Sequence, residues 1–188
     1  MSAAVPAPRA ARFAGVLRQV GPVRCALTAA LLAATVVLLA HDRAVRHAEA
    51  CASAFLVRST WGPDASCTVD NVLFRIDGRL VGQTVTIGCS AVVLIVPFVV
   101  VATLLLPVRR MPAVVTLGAL GFAAVVVAGV NQLRLLTIAT GMHLWGLEHG
   151  YGVTHVLAGS IVSTVGIVAG GLTFVVLLTR GARVVRRG

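Results

Sequence analysis

The chain has 188 residues, of which 58% are hydrophobic and 12% charged, and its mean hydropathy is +0.97. Soluble domains carry about 25% charged residues, so this composition excludes a water-soluble enzyme and reads as an all-α integral membrane protein. The formal charge of +10 comes from sixteen basic residues, all arginine, against six acidic ones. Most of that excess sits in short arginine clusters beside apolar runs, where membrane topology accounts for it better than a nucleic-acid or acidic-lipid partner.

In chain order, residues 1–24 form a basic segment with Arg9, Arg12, Arg18 and Arg24, followed by a first apolar run, 25–40 (CALTAALLAATVVLLA). At sixteen residues the run is short of the roughly 20 that span a bilayer. The basic start, the short run and Ala48-Glu49-Ala50 also fit a signal peptide with its cleavage site. Either way the loop 41–87 is expected outside.

Within that loop, Ala44, Val45, Ala48, Cys51, Ala52, Phe55 and Leu56 recur at helical spacing opposite Asp42, Arg43, Arg46 and Glu49. The pattern predicts an amphipathic helix over 41–58 lying on the membrane surface. Gly62 and Pro63 end it, and Asp77-Gly78 between β-prone runs predicts a short hairpin. Cys51 and Cys67 both fall in this outer loop, where oxidation is permitted, and could form a disulfide or stay as free thiols; Cys25 is on the other side and cannot join them.

Three further runs, 88–107, 113–140 and 153–179, meet the spanning length. Arg109 and Arg110 separate the second from the third, and Arg180, Arg183, Arg186 and Arg187 lie in the closing segment, 180–188. All six acidic residues lie in 41–87 and 141–152. The positive-inside rule then predicts four spans in one membrane domain, 25–179, with both termini cytoplasmic.

Arg134 interrupts the third run 21 residues after Ala113, roughly 32 Å along a helix. A snorkelling arginine at the outer boundary is one reading. Asn131 sits one turn below, above Gly121, Ala124 and Ala128, and this row instead predicts a face turned into the bundle. In the fourth run His155, Gly159, Ser163, Gly166 and Gly170 share one face, with the histidine at its outer end. Cys89 opens the second run at the same depth, in its first helical turn.

A thiolate is a nucleophile, a nearby histidine can take and return its proton, and an arginine can stabilise a thiolate or an oxyanion. His149 competes with His155 for the histidine role. His143, Glu148, His149 and His155 are residue types that bind metals, but the histidines recur every six residues and so point to different faces. A wet loop with Trp145 and Tyr151 at the bilayer boundary is expected there, with no metal or cofactor.

At "GCSAVVLIVPF" around Cys89, "NQLRLLTIA" with Asn131 and Arg134, and "HVLAGSIVS" with His155 and Gly159, the chain resembles the exosortase and archaeosortase family of membrane-embedded cysteine transpeptidases. The resemblance implies a Cys89-Arg134-His155 triad supported by Asn131 and Gly159. It implies an outward-facing site in a bacterial or archaeal plasma membrane. The partners would be membrane lipid, secreted proteins ending in a motif, an apolar span and a basic tail, and a surface acceptor. Ala91 stands where the family often has glycine, and four spans are fewer than many members have. The rival class is a small transporter or assembly subunit that uses Arg134 and Asn131 to bind an anion or pack helices.

Overall fold

The computed structural model describes residues 21–108 and 111–187; Arg9, Arg12, Arg18, Arg109 and Arg110 lie outside the described residues. The chain opens with α1 (Pro22–Ala40), which carries its proline at the helix start, where a missing N–H costs nothing. No residue of α1 is buried. Its apolar surface therefore needs an apolar medium, not a protein core, to cover it. At its start Arg24 Nη1 donates to the carbonyls of Leu106 (3.0 Å) and Val108 (2.7 Å). A cation thus satisfies the carbonyl end of α3 (Ala91–Leu105), and α1 and α3 run antiparallel.

Helix α2 (Asp42–Trp61) follows after a single residue, His41. The stripe it buries differs from the one the apolar pattern predicts. Ala50, Ser53, Ala54 and Val57 are buried, Arg46 and Glu49 turn partly inward, and Ala44, Ala48, Ala52 and Phe55 are exposed. Small residues win this interface because α2 packs closely on a sheet and on the long helix α4, while Phe55 is left for an outer surface.

The sheet has three antiparallel strands in the order β1 (Ser66–Thr68), β2 (Asn71–Ile76), β3 (Arg79–Thr84), one more than the expected hairpin, so the fold is not wholly helical. Asp77 (φ 49) and Gly78 (φ 76) both have positive φ, as a two-residue hairpin turn requires. Val72, Phe74 and Ile76 alternate into a core with Ala50, Ala54, Val57, Ile138, Ala139 and Met142. Cys51 and Cys67 are joined by a disulfide that ties α2 to β1. Arg46 adds a second tie, with Nη1 2.6 Å from Asp70 and Nη2 3.0 Å from Asp42.

A 3₁₀ turn, Ile87–Cys89, and the extended N-cap Ser90 lead into α3, which is only fifteen residues long. That is roughly 22 Å, less than a full bilayer core. Cys89 therefore precedes the helix and does not stand in its first turn. Helix α4 (Ala113–Trp145) has 33 residues and runs past the expected end at 140 until Gly146, with a positive φ, stops it. The segment expected as a wet loop is thus helical, completed by the short α5 (Leu147–Val153). A π turn, Thr154–Ala158, joins α5 to α6 (Gly159–Arg187).

By length and composition three stretches can cross a membrane: Pro22–Ala40, Ala113–Trp145, and Leu147–Val184 taken as one. Helices α4 and α6 pack along most of their length. Gly166 and Gly170 let them approach, since a Cβ at either would stand 2.8 Å from Val130 or 2.6 Å from Val127. Gly121, expected in that contact row, is exposed with open space around it. The buried row is instead Thr116, Ala119, Leu120, Ala123 and Val127, rotated to meet Phe98, Phe174 and Leu178.

Candidate functional site

Where the sheet end meets the helices, three elements converge on Cys89. Its backbone is held first: the 3₁₀ turn closes with Cys89 N donating to Thr86 O (2.9 Å), and Asn131 Nδ2 of α4 donates to Cys89 O (2.8 Å). The thiol is buried, 5% exposed, and Sγ lies 3.9 Å from Nε2 of His155. That contact links residues 66 apart in sequence. It is within the reach of a sulfur hydrogen bond, so imidazole and thiol can exchange a proton.

His155 owes its position to a close crossing and an irregular turn. A Cβ on Gly141 would run into the Thr154 side chain, and one on Gly150 would run into the Gly141 carbonyl. Only glycines allow α5 to lie across α4 this tightly. Thr154 is buried and its hydroxyl donates to Gly150 O, 2.5 Å away. The π turn then begins, and such turns recur at functional positions because the inserted residue re-aims a side chain. The Tyr151 ring lies 4.8 Å from the imidazole, centroid to centroid, and limits its rotation.

Arg134 does not snorkel. It is 9% exposed, and α4 continues for eleven residues beyond it to Trp145. Its guanidinium lies against Gly159, where a Cβ would be 3.1 Å from Nε and 3.7 Å from Nη2. Gly159 thus makes room for the cation one turn beyond His155. Ion pairs among the described residues are those of Arg46 with Asp42 and Asp70, so no carboxylate among them neutralises Arg134. A largely desolvated, unpaired guanidinium whose charge reaches the His155 imidazole is a group that can stabilise a thiolate or a developing oxyanion formed there.

The other histidines are elsewhere. His149 is exposed on α5, and His143 is stacked on Trp61 with centroids 5.1 Å apart. Sequence reasoning missed two residues that frame the cysteine. Glu49 of α2 accepts from Ala91 N through Oε1 (2.8 Å), and Gln132 Nε2 of α4 donates to Glu49 O (3.3 Å). Burial pushes the Glu49 carboxyl above its ordinary value, against the pull of the Ala91 amide, the Ser90 hydroxyl and Arg46, as expected when desolvation outweighs the bonds to the charged form. On an isolated helix Glu49 reads as solvated, and no local signal marks it.

No family model, curated protein or solved structure matches this chain. A buried thiol, an imidazole in reach of it and an unpaired guanidinium are groups that can support acyl transfer through a thioester.

Proposed function

We propose that the chain is a membrane-embedded cysteine peptidase or transpeptidase of the exosortase and archaeosortase kind, acting on the extracytoplasmic side of a bacterial or archaeal plasma membrane. The observation that carries this reading is the 3.9 Å approach of Cys89 Sγ to His155 Nε2 beside the unpaired Arg134. In the topology that goes with it, α1, α3, α4 and α6 span the membrane, α3 at its thinnest, and both termini are cytoplasmic. Arg24 at one end of α1 and α3, and at the other the segment 41–87, whose five arginines are balanced by five acidic residues, support that orientation.

In the reaction, His155 takes the thiol proton and the Cys89 thiolate adds to a peptide carbonyl carbon, moving the carbonyl electron pair onto oxygen, where Arg134 offsets the charge. Collapse breaks the C–N bond. The amine leaves with the proton from His155, and the acyl group stays on sulfur as a thioester. An amine or hydroxyl of a surface acceptor, or water, then gives its proton to His155, attacks the thioester and frees the thiol. Substrates are secreted proteins whose C-terminal motif is followed by an apolar span and a basic tail, held in the same lipid. The span sets the depth of the scissile bond against Cys89, which turns a bimolecular encounter into a local one.

The test is co-expression of such a substrate with the native chain or with Cys89→Ala, read as substrate size on a gel. The native chain is expected to shorten the substrate and Cys89→Ala to leave it full length. Equal shortening by both would remove the enzyme and favour a packing or anion-binding subunit built on Arg134 and Asn131.

A further inference from the structure

The first turn of α3 is capped from two sides. Ser90 Oγ accepts from Val92 N at 3.4 Å, a local cap. Ala91 N is met by the Glu49 carboxylate at 2.8 Å, from a helix 42 residues earlier in the chain. That amide is one of the orphan donors found at any helix start. A carboxylate also suits the positive end of the helix dipole. The nearest cation on its own helix, Arg46, is engaged by Asp42 and Asp70. The carboxylate therefore serves the α3 turn and not a surface ion pair.

Two adjacent side chains of α4 close the arrangement. Gln132 holds the Glu49 carbonyl and Asn131 holds the Cys89 carbonyl, while Glu49 holds the amide two residues beyond Cys89. The result is a ring of hydrogen bonds through α2, the cysteine turn and α4, and the thiol of that turn lies 3.9 Å from His155 Nε2.

We infer that Glu49 is a positioning residue for Cys89: by holding the Ala91 amide it fixes the turn that presents the thiol to the His155 imidazole. This rests on the reading of Cys89 as the nucleophile. Its essential property is an acceptor oxygen at the right reach, not a negative charge. Glutamine keeps that oxygen, aspartate keeps the charge but is one methylene short, and alanine keeps neither.

The test needs no substrate. In the full chain reconstituted in lipid nanodiscs, with Cys25→Ala so that Cys89 is the remaining free thiol, alkylation by iodoacetamide is followed against pH. The native protein and Glu49→Gln are expected to share one pH midpoint, with rates at neutral pH within about twofold. Glu49→Ala and Glu49→Asp are expected to move the midpoint upward by about one unit, toward that of His155→Ala, a tenfold loss of thiolate at neutral pH. Should Glu49→Ala not fold, Glu49→Asp carries the comparison. A midpoint moved by His155→Ala but unmoved in the folded Glu49→Ala and Glu49→Asp variants, or moved equally by Glu49→Gln, overturns the inference. The reading of Cys89 as nucleophile fails separately, when His155→Ala leaves the midpoint where it was. In that case the Glu49 variants still report the turn through their rates relative to the native protein.

Discussion

At the scale of single residues, the arrangement assigns the proton to one histidine and the room for a cation to one glycine. His155→Ala is expected to lower turnover of a co-expressed substrate on the order of 10²–10⁴-fold, the usual worth of a positioned acid–base group. His149→Ala, on an exposed face of α5, is expected to stay within twofold of the native rate, measured as substrate shortened per unit time. Equal losses from both would return the role to His149. Gly159→Ala places a Cβ 3.1 Å from Arg134 Nε and 3.2 Å from Thr154 O, so the guanidinium or the turn must shift by a few tenths of an ångström. Turnover is expected to fall about tenfold, short of the roughly 10²-fold that a 1 Å misplacement can cost, with the protein still folded by thermal melt; an unchanged rate would show that the guanidinium has room to spare. Cys89, Arg134 and His155 were legible beforehand because each is a chemically distinctive residue at one predicted depth on its own apolar run. Gly159 was legible as a small residue on the His155 face, although that it faces Arg134 was not.

At the scale of elements, periodicity located the helices and the Asp77-Gly78 turn but misplaced the buried face of α2. Ala44, Ala48, Ala52 and Phe55 look like a core stripe, yet small residues at 50, 53 and 54 meet the sheet and α4 instead. Apolar pattern alone cannot distinguish a face turned to protein from one turned to lipid, since both are apolar. The same blindness hid Glu49, whose partner Ala91 is a backbone amide that no side-chain pattern reports. Its burial has a measurable consequence. A carboxyl held above its ordinary value of 4.5 binds its proton more tightly folded than unfolded. Its contribution to stability is then full below pH 4.5 and is lost as pH rises through the raised value. Glu49→Gln cannot ionise, so the melting temperature of the native protein minus that of the variant is expected to fall as the pH is raised above 4.5. A difference that stays flat across that range would mean the carboxyl is unperturbed.

At the scale of the whole molecule, two cores divide the work. One, built from Phe98, Ala123, Val127, Phe174 and Leu178, welds α3, α4 and α6 together. The other joins α2 and the sheet to the last turns of α4. Cys89 belongs to the second core, and His155 lies in the turn that enters α6, so the candidate site lies at the junction of the two. Composition and the apolar runs revealed the membrane-compatible helices. They did not reveal the shortness of α3, because the 3₁₀ turn and Ser90 interrupt an apolar run without any charged residue to mark the break. The extension of α4 to Trp145 was hidden for the opposite reason, since Gly141, His143 and the tryptophan read as loop until α5 packs against them. The most direct measurement is mass spectrometry of the protein after brief incubation with a lipid-held substrate of the proposed kind. A hydroxylamine-labile acyl adduct on Cys89 is the expected result, absent from Cys89→Ala. Substrate shortened by the native protein with no acyl group ever found on Cys89, or shortened as fast by Cys89→Ala, would contradict it.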